Sequence, residues 1–323
     1  MAELRIVSYA SQNPVRQTEL RDALEQHDPS IEISFPASED EACKMLGDAT
    51  VLLAHHLTER MFLAAPHLKW VHMTSAGVDH SLFKKFIESE VLLTNSRGLH
   101  ARTMAEWTLA GLLYWSQRLN LADEWKRSRD WKSNKKQMTE NKLSLEGLST
   151  LVVGYGEVAR GIAGLLKSVG MRVEAIATRE RRDLIDIYPM EQLEERLQQA
   201  DVVVITLPLT PKTRGIFNRR IFPLMKPTSV LVNVARGAIV DEIDLIEGLK
   251  AGKPSFAILD VFTEEPLPQD SELFDLPNVF MTPHVSGNFP EYTTKVHEIF
   301  LENVIRYTDG QPLRFVVDKK RGY

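Results

Sequence analysis

Short runs of β-branched and aliphatic residues alternate with helical stretches twice over in this chain, and that rhythm limits the folds open to it. The first series has runs at Leu4 to Tyr9, Ile31 to Phe35, Val51 to Ala54, Trp70 to Thr74 and Val91 to Thr94, separated by stretches such as Gln17 to Gln26. The second begins at Ser149 to Gly154 and continues through Met171 to Ala177, Asp201 to Thr206, Ser229 to Asn233, Phe256 to Leu259 and Val279 to Met281. Such alternation predicts parallel sheets with helices on their faces. Between the two series a long helix is expected from about His100 through Leu119, where Ala105, Leu109, Leu112 and Leu113 recur at helical spacing. A polar interruption follows over Arg127 to Asn141, and a last helix is expected from about Pro290 to Tyr307.

At 323 residues the chain exceeds one ordinary core and suits two domains. No apolar run approaches the roughly 18 to 20 residues of a membrane span, and Met1-Ala-Glu-Leu-Arg5-Ile-Val has no signal-peptide core. Cys43 is the single cysteine, which excludes an intrachain disulfide and a thiolate zinc site. A cytoplasmic location is therefore expected. With 39 basic against 44 acidic residues, a net charge of −5 and no clustered basic face, nucleic acid and anionic membrane are set aside as partners. No metal is expected either: His55, His56, His72, His80 and His100 lack the i, i+4 pair with a helical glutamate, and read as structural or substrate-lining.

The run Leu151-Val-Val-Gly154-Tyr-Gly156-Glu157-Val158-Ala159-Arg-Gly161 reads as a buried strand, a tight turn and a helix. Gly154 permits the turn, Gly156 lets the backbone approach a pyrophosphate at the helix N-terminus, and Ala159 takes the third position. The following strand ends in Thr178-Arg179, where a site preferring NAD usually carries Asp or Glu. A guanidinium beside a small hydroxyl suits a 2′-phosphate, so NADP(H) is favoured, with NAD(H) as the alternative.

Three downstream segments carry the chemistry: Asn233-Val234-Ala235-Arg236-Gly237, Asp260-Val-Phe-Thr-Glu264-Glu265-Pro266 and Thr282-Pro-His284-Val-Ser-Gly287. They supply a fixed cation, a carboxylate and an imidazole, the parts needed to hold a small carboxylic acid and move a proton at the carbon beside it. In this order, downstream of the glycine turn, they resemble the active site of the D-isomer-specific 2-hydroxyacid dehydrogenases, in particular glyoxylate/hydroxypyruvate reductases. The resemblance covers about the whole chain and is strongest from Leu148 to Gly287.

The resemblance implies an α/β protein of two doubly wound parallel-sheet domains. A Rossmann cofactor domain, residues 102–287, would be inserted into a flavodoxin-like substrate domain, residues 1–101 and 288–323. The crossings are expected near Leu99 to Arg102 and Gly287 to Pro290, and cleft closure about them would exclude water. His284 would be the acid in reduction and the base in oxidation. Glu265 would bond its other ring nitrogen and fix the tautomer; its neighbour Glu264 is the rival, set aside by the family spacing from Asp260 and the proline that follows. Arg236 would grip the substrate's carboxylate and carbonyl oxygens.

Cofactor contacts are implied for Gly154, Gly156, Glu157, Val158, Thr178, Arg179, Leu207, Pro208, Thr213, Val234, Ala235, His284 and Gly287, with Asp260 accepting from the nicotinamide carboxamide. The turn Ser75-Ala76-Gly77-Val78 would hold the substrate acid, while Arg97 and the segment Thr103-Met104-Ala-Glu106 would approach the nicotinamide. The expected activity is hydride exchange between a nicotinamide cofactor and a small 2-keto or 2-hydroxy acid such as glyoxylate or hydroxypyruvate, in a homodimer. Two other readings stand beside this one, the first of which keeps these residue types. The C-terminal-binding-protein corepressors act mainly as cofactor-sensitive scaffolds with weak dehydrogenase activity, and formate dehydrogenases would not use the Glu265–His284 pair in this way.

Overall fold

The computed structural model describes residues 4–140, 142–178 and 180–322, so Asn141 and the cofactor candidate Arg179 lie outside the described residues. The chain divides into two compact units, one of Met1–Leu99 with Phe289–Tyr323 and one of His100–Asn288.

In the first unit, the described residues form five parallel strands: β1 (Arg5–Tyr9), β2 (Glu32–Ser34), β3 (Val51–Ala54), β4 (Trp70–Met73) and β5 (Leu92–Asn95). Their order, β2-β1-β3-β4-β5, is the flavodoxin-like one, with the direction of winding reversing between β1 and β3. Successive side chains enter opposite faces. Val7, Leu52, Ala54, Val71 and Met73 line one core, and Ile6, Val51, Leu53 and Trp70 the other. The second core is completed by Leu20 and Leu24 of the helix Pro14–His27 and by Val296, Phe300 and Val304 of the helix Tyr292–Thr308. Asn13 opens the former helix by accepting from the amide of Val15 at 3.0 Å, with Pro14 in the first turn.

After the last helix the tail runs antiparallel beside β5. The amide of Val317 donates to the Leu93 carbonyl at 2.8 Å, and that of Asn95 to Phe315 at 3.2 Å. The ammonium of Lys319 then donates to the carbonyls of Phe86, Ser89 and Val91 at 2.9, 2.7 and 2.8 Å. Within the sheet, His72 is fully buried with both ring nitrogens engaged, by Thr94 Oγ1 at 2.7 Å and Ser96 Oγ at 3.1 Å. It serves the core; burial pushes it down to about 3 and keeps it neutral.

The described residues of the second unit form an eight-stranded sheet. Its strands are β6 (Ser149–Val153), β7 (Arg172–Ala177), β8 (Arg181–Arg182), β9 (Asp186–Pro189), β10 (Val202–Ile205), β11 (Val230–Asn233), β12 (Phe256–Leu259) and β13 (Val279–Met281). The order is β13-β12-β11-β10-β6-β7-β9-β8, parallel except for β8 against β9. This is the Rossmann plan, reversing between β6 and β10. Both faces are apolar, so β10 (VVVI) and β11 (VLVN) read as continuous hydrophobic runs. The helices Ala101–Ser116 and Glu157–Ser168 pack together because Gly161 has no side chain: a Cβ there would stand 2.8 Å from the Ala101 carbonyl oxygen.

Two elements depart from expectation. The polar stretch after Arg127 is not a break, since the helices Asn120–Ser128 and Trp131–Glu140 occupy it. The second opens with Asp130 Oδ1 accepting from the Ser133 amide at 3.2 Å, and Lys136 faces Glu140 one turn on, at 3.8 Å. Capping and polar pairing form this helix without an apolar stripe. The hairpin β8–β9 was not anticipated, because a two-residue strand of exposed arginines carries no alternation.

Candidate active site

The glycine turn sits where the second unit's sheet reverses direction. Gly154 has φ +103°, and a Cβ on it would lie 2.8 Å from the Thr206 carbonyl carbon, so only glycine lets the end of β6 meet the end of β10. Gly156 caps the helix Glu157–Ser168 without a side-chain bond, and a Cβ there would meet nothing within 4 Å. A helix opening at Glu157 and Val158 in front of clear space fits a dinucleotide pyrophosphate.

Thr178 is exposed just beyond β7. Beside the turn the structure assembles a charged group that sequence reasoning missed. Arg181 donates to the Tyr155 carbonyl at 3.3 Å, Asp183 accepts from the Tyr155 hydroxyl at 3.3 Å, and Arg160 faces Asp183 at 3.6 Å. Their signal was the arginine run at 181 and 182, whose hairpin geometry was not foreseen. Leu207 is buried and Pro208 exposed at the end of β10. Thr213, expected at the cofactor, closes its own turn: its hydroxyl donates to the Pro208 carbonyl at 2.7 Å and accepts from the Thr210 amide at 2.8 Å.

The three chemical segments follow β11, β12 and β13. Asn233, buried at the end of β11, accepts from the Ala235 amide at 3.1 Å and donates to the Arg236 carbonyl at 3.0 Å, wrapping the turn that carries the arginine. Val234 and Ala235 are buried within that turn, and Arg236 Nη1 donates to the Ala235 carbonyl at 2.7 Å. Gly237 is required because a Cβ there would fall 1.8 Å from the Phe262 carbonyl carbon. The turns after β11 and β12 therefore touch backbone to backbone.

Asp260 is fully buried. Its carboxylate accepts from Thr282 Oγ1 at 2.5 Å and from the amides of Val285 and Ser286 at 2.9 Å each, while its carbonyl accepts from the His284 amide at 2.8 Å. Asp260, expected to accept from the nicotinamide carboxamide, thus also organises the His284 loop, since a buried carboxylate needs donors. Those bonds hold His284 at φ +52°, a left-handed conformation that side chains rarely adopt.

His284 Nδ1 lies 2.7 Å from Glu265 Oε2, and Glu265 Oε1 accepts from the Phe262 amide at 3.0 Å. Glu265, not Glu264, thus faces the imidazole. The ring and carboxylate are about half exposed and one-third exposed. An exposed acid–base pair beside a buried organising carboxylate can exchange a proton with a bound molecule. Gly287, expected against the cofactor, turns its carbonyl to His100 Nδ1 at 3.0 Å.

In the first unit, the turn after β4 is tightly bonded. Ser75 Oγ donates to the Gly77 carbonyl at 2.7 Å, Asn95 Nδ2 to the Ala76 carbonyl at 2.5 Å, and Val78 is buried ahead of a short 3₁₀ turn, Asp79–Ser81. His55 Nδ1 lies 3.1 Å from Thr74 Oγ1, and His80 Nε2 lies 2.9 Å from the His55 carbonyl. Arg97 sits over the Phe315 ring, 5.6 Å from its centre.

A doubly wound sheet with a glycine turn at its reversal, and an imidazole–carboxylate pair beyond neighbouring strands, is the plan of a nicotinamide-dependent oxidoreductase. Comparison with known proteins narrows the class. The profile of the D-isomer specific 2-hydroxyacid dehydrogenase, NAD binding domain, matches residues 109–286. The glyoxylate reductase of Korarchaeum cryptofilum is 31% identical over 270 residues, 82% of this chain and 80% of that protein. A D-isomer specific 2-hydroxyacid dehydrogenase family protein from Aeromonas salmonicida superposes with a TM-score of 0.85 at 33% identity, covering 98% of this chain and 100% of that one. The NADPH-dependent glyoxylate/hydroxypyruvate reductase from Sinorhizobium meliloti, solved with NADP and sulfate, has a TM-score of 0.83 at 25% identity, covering 99% and 100%. The chain belongs to the D-isomer specific 2-hydroxyacid dehydrogenase family, and it is an NAD(P)-dependent oxidoreductase of hydroxy acids. Among the described residues no helix is long and apolar enough to cross a membrane.

Proposed function

We propose that this chain is an NADPH-preferring reductase of small 2-keto acids, with glyoxylate and hydroxypyruvate as first substrates, working in the cytoplasm as a homodimer. The observation that carries the reading is the 2.7 Å contact of His284 Nδ1 with a Glu265 carboxylate that is itself pinned by the Phe262 amide. A carboxylate on Nδ1 leaves Nε2 to give its proton to the oxygen of a reduced carbonyl. Arg236 would take the substrate's carboxylate and carbonyl oxygens as a fork, and the amides of Ser75 to Val78 would take the acid group. Gly154, Gly156, Glu157 and Val158 would hold the pyrophosphate, with Thr178 and Arg179 toward the adenosine ribose. When bound, the nicotinamide supplies the reducing equivalent as a hydride.

The NADPH preference rests on the basic residues around the adenosine end. Arg181 and Arg160 lie beside the glycine turn, although Asp183 adds an opposing charge. The names of the similar reductases support both substrate and cofactor. The deciding experiment is a spectrophotometric screen of small 2-keto acids with NADPH and NADH in parallel, for the native protein and for His284→Ala. Native turnover with glyoxylate or hydroxypyruvate, reduced about 10² to 10⁴-fold in the variant, is the expected result. Equal rates in the two proteins would remove His284 from the chemistry.

A further inference from the structure

A second imidazole stands in the second unit beside the acid–base pair. His100 opens the helix Ala101–Ser116, and its Nδ1 lies 3.0 Å from the carbonyl oxygen of Gly287, three residues beyond His284. A carbonyl only accepts, so Nδ1 carries the proton. The hydroxyl of Thr103 reaches the same carbonyl at 3.4 Å. Gly287 is matched to this contact, because a Cβ there would stand 2.8 Å from His100 Nδ1. Burial holds the pKa of His100 below the ordinary histidine value, and the nearby charges of Arg236 and His284 push the same way. The bond to Gly287 opposes them.

The loop that presents His284 is thus held at two ends. Asp260 takes the amides of residues 284 to 286 through its carbonyl and its carboxylate. The remaining end is the Gly287 carbonyl, and it points at His100. A left-handed histidine persists only when its surroundings over-determine it. A lysine or arginine in place of His100 would set a further fixed positive charge near Arg236. A neutral N–H donor avoids that repulsion.

We propose that His100 is a positioning residue for the reaction: as a neutral Nδ1–H donor it clamps the Gly287 carbonyl and so fixes the direction in which His284 presents Nε2. This rests on the acid–base reading of His284 given above. Loss of the clamp displaces a reacting group without removing it, which slows chemistry while leaving binding intact.

The test compares His100→Ala with His100→Asn, whose side-chain amide places an N–H close to where Nδ1 stands. Three quantities are measured on the full chain: kcat and KM for the keto acid, NADPH affinity, and hydrogen–deuterium exchange of residues 282–288. For the alanine variant kcat is expected to fall about ten-fold with KM and NADPH affinity within about two-fold, and the segment to exchange faster. Asparagine is expected to restore kcat to within about three-fold and the exchange to the native rate. An alanine variant that melts earlier yet keeps its native kcat, or an asparagine variant as slow as alanine, overturns the proposal. Hydrogen exchange needs no substrate, so failure of the reductase reading would show as a native protein without turnover, separately from the fate of the clamp.

Discussion

At the scale of single residues, the site divides its labour between groups that face outward and groups that hold them. Glu265→Gln keeps the shape of the side chain but removes the charge facing His284 Nδ1, so the imidazolium and its tautomer are less well held. A fall in kcat of about ten- to a hundred-fold with unchanged NADPH affinity is expected by steady-state kinetics; native kcat would show that Glu265 is a bystander. Cofactor choice can be tested at Arg181, whose guanidinium sits on the Tyr155 carbonyl of the glycine turn. Arg181→Ala is expected to weaken NADPH about ten-fold more than NADH in fluorescence titrations, as the loss of one charge-assisted contact requires. Equal weakening of both would make Arg181 ordinary surface charge. The outward-facing groups could be read from the chain, because arginine, glutamate and histidine stand in short turns at recognisable spacings. The holding groups could not. Asp260 and Asn233 bond backbone amides, and His100 bonds the carbonyl of a residue 187 positions away, so their roles appear only when the path of the backbone is known.

Elements place these residues through contacts that leave no room for a side chain. The turns after β11 and β12 meet at Gly237, and Gly237→Ala would drive a methyl group into the Phe262 backbone. Backbone cannot rotate away as a flexible side chain can, so a loss of about 1 to 3 kcal/mol in urea unfolding is expected, together with impaired turnover because Arg236 is the adjacent residue. Native stability and rate in that variant would mean that the two turns separate freely. Legibility at this scale followed the depth of burial. β10 and β11 are apolar on both faces, and their runs of valine, leucine and isoleucine stand out in any window. The hairpin β8–β9 and the helix Trp131–Glu140 lie in exposed polar sequence, where capping and pairwise contacts decide the outcome and the periodicity of burial is silent.

Over the whole molecule, acid should act on the first unit through two buried histidines. Burial pushes His72 down to about 3 and His297 down to about 4, against 6.5 for an unperturbed ring. Below pH 6.5 the unfolded chain takes up protons that the folded chain refuses, so stability is lost as pH falls from 6.5 toward 4 and is intact above. The slope is at most about 1.4 kcal/mol per pH unit for each ring, or about 2 to 4 kcal/mol in total between pH 7 and 5. Urea midpoints across that range should show the loss, and His297→Gln should remove close to half of it; an unchanged slope in the variant would sink the assignment.

The manner in which the first unit closes has a further consequence. Trp70, Leu20 and Leu24 are covered by Phe300 and Val304, and β5 is flanked by the tail at Phe315 to Val317. A chain emerging from the ribosome makes its N-terminal strands first, yet it cannot seal them until more than 200 residues later. The second unit, drawn from one unbroken stretch, can mature in the meantime. Released chains truncated at residue 288 should therefore present a protease-resistant second unit and a cleavable N-terminal segment, and resistance of both at that length would contradict this order of assembly. During synthesis the N-terminal segment is the part that needs sheltering.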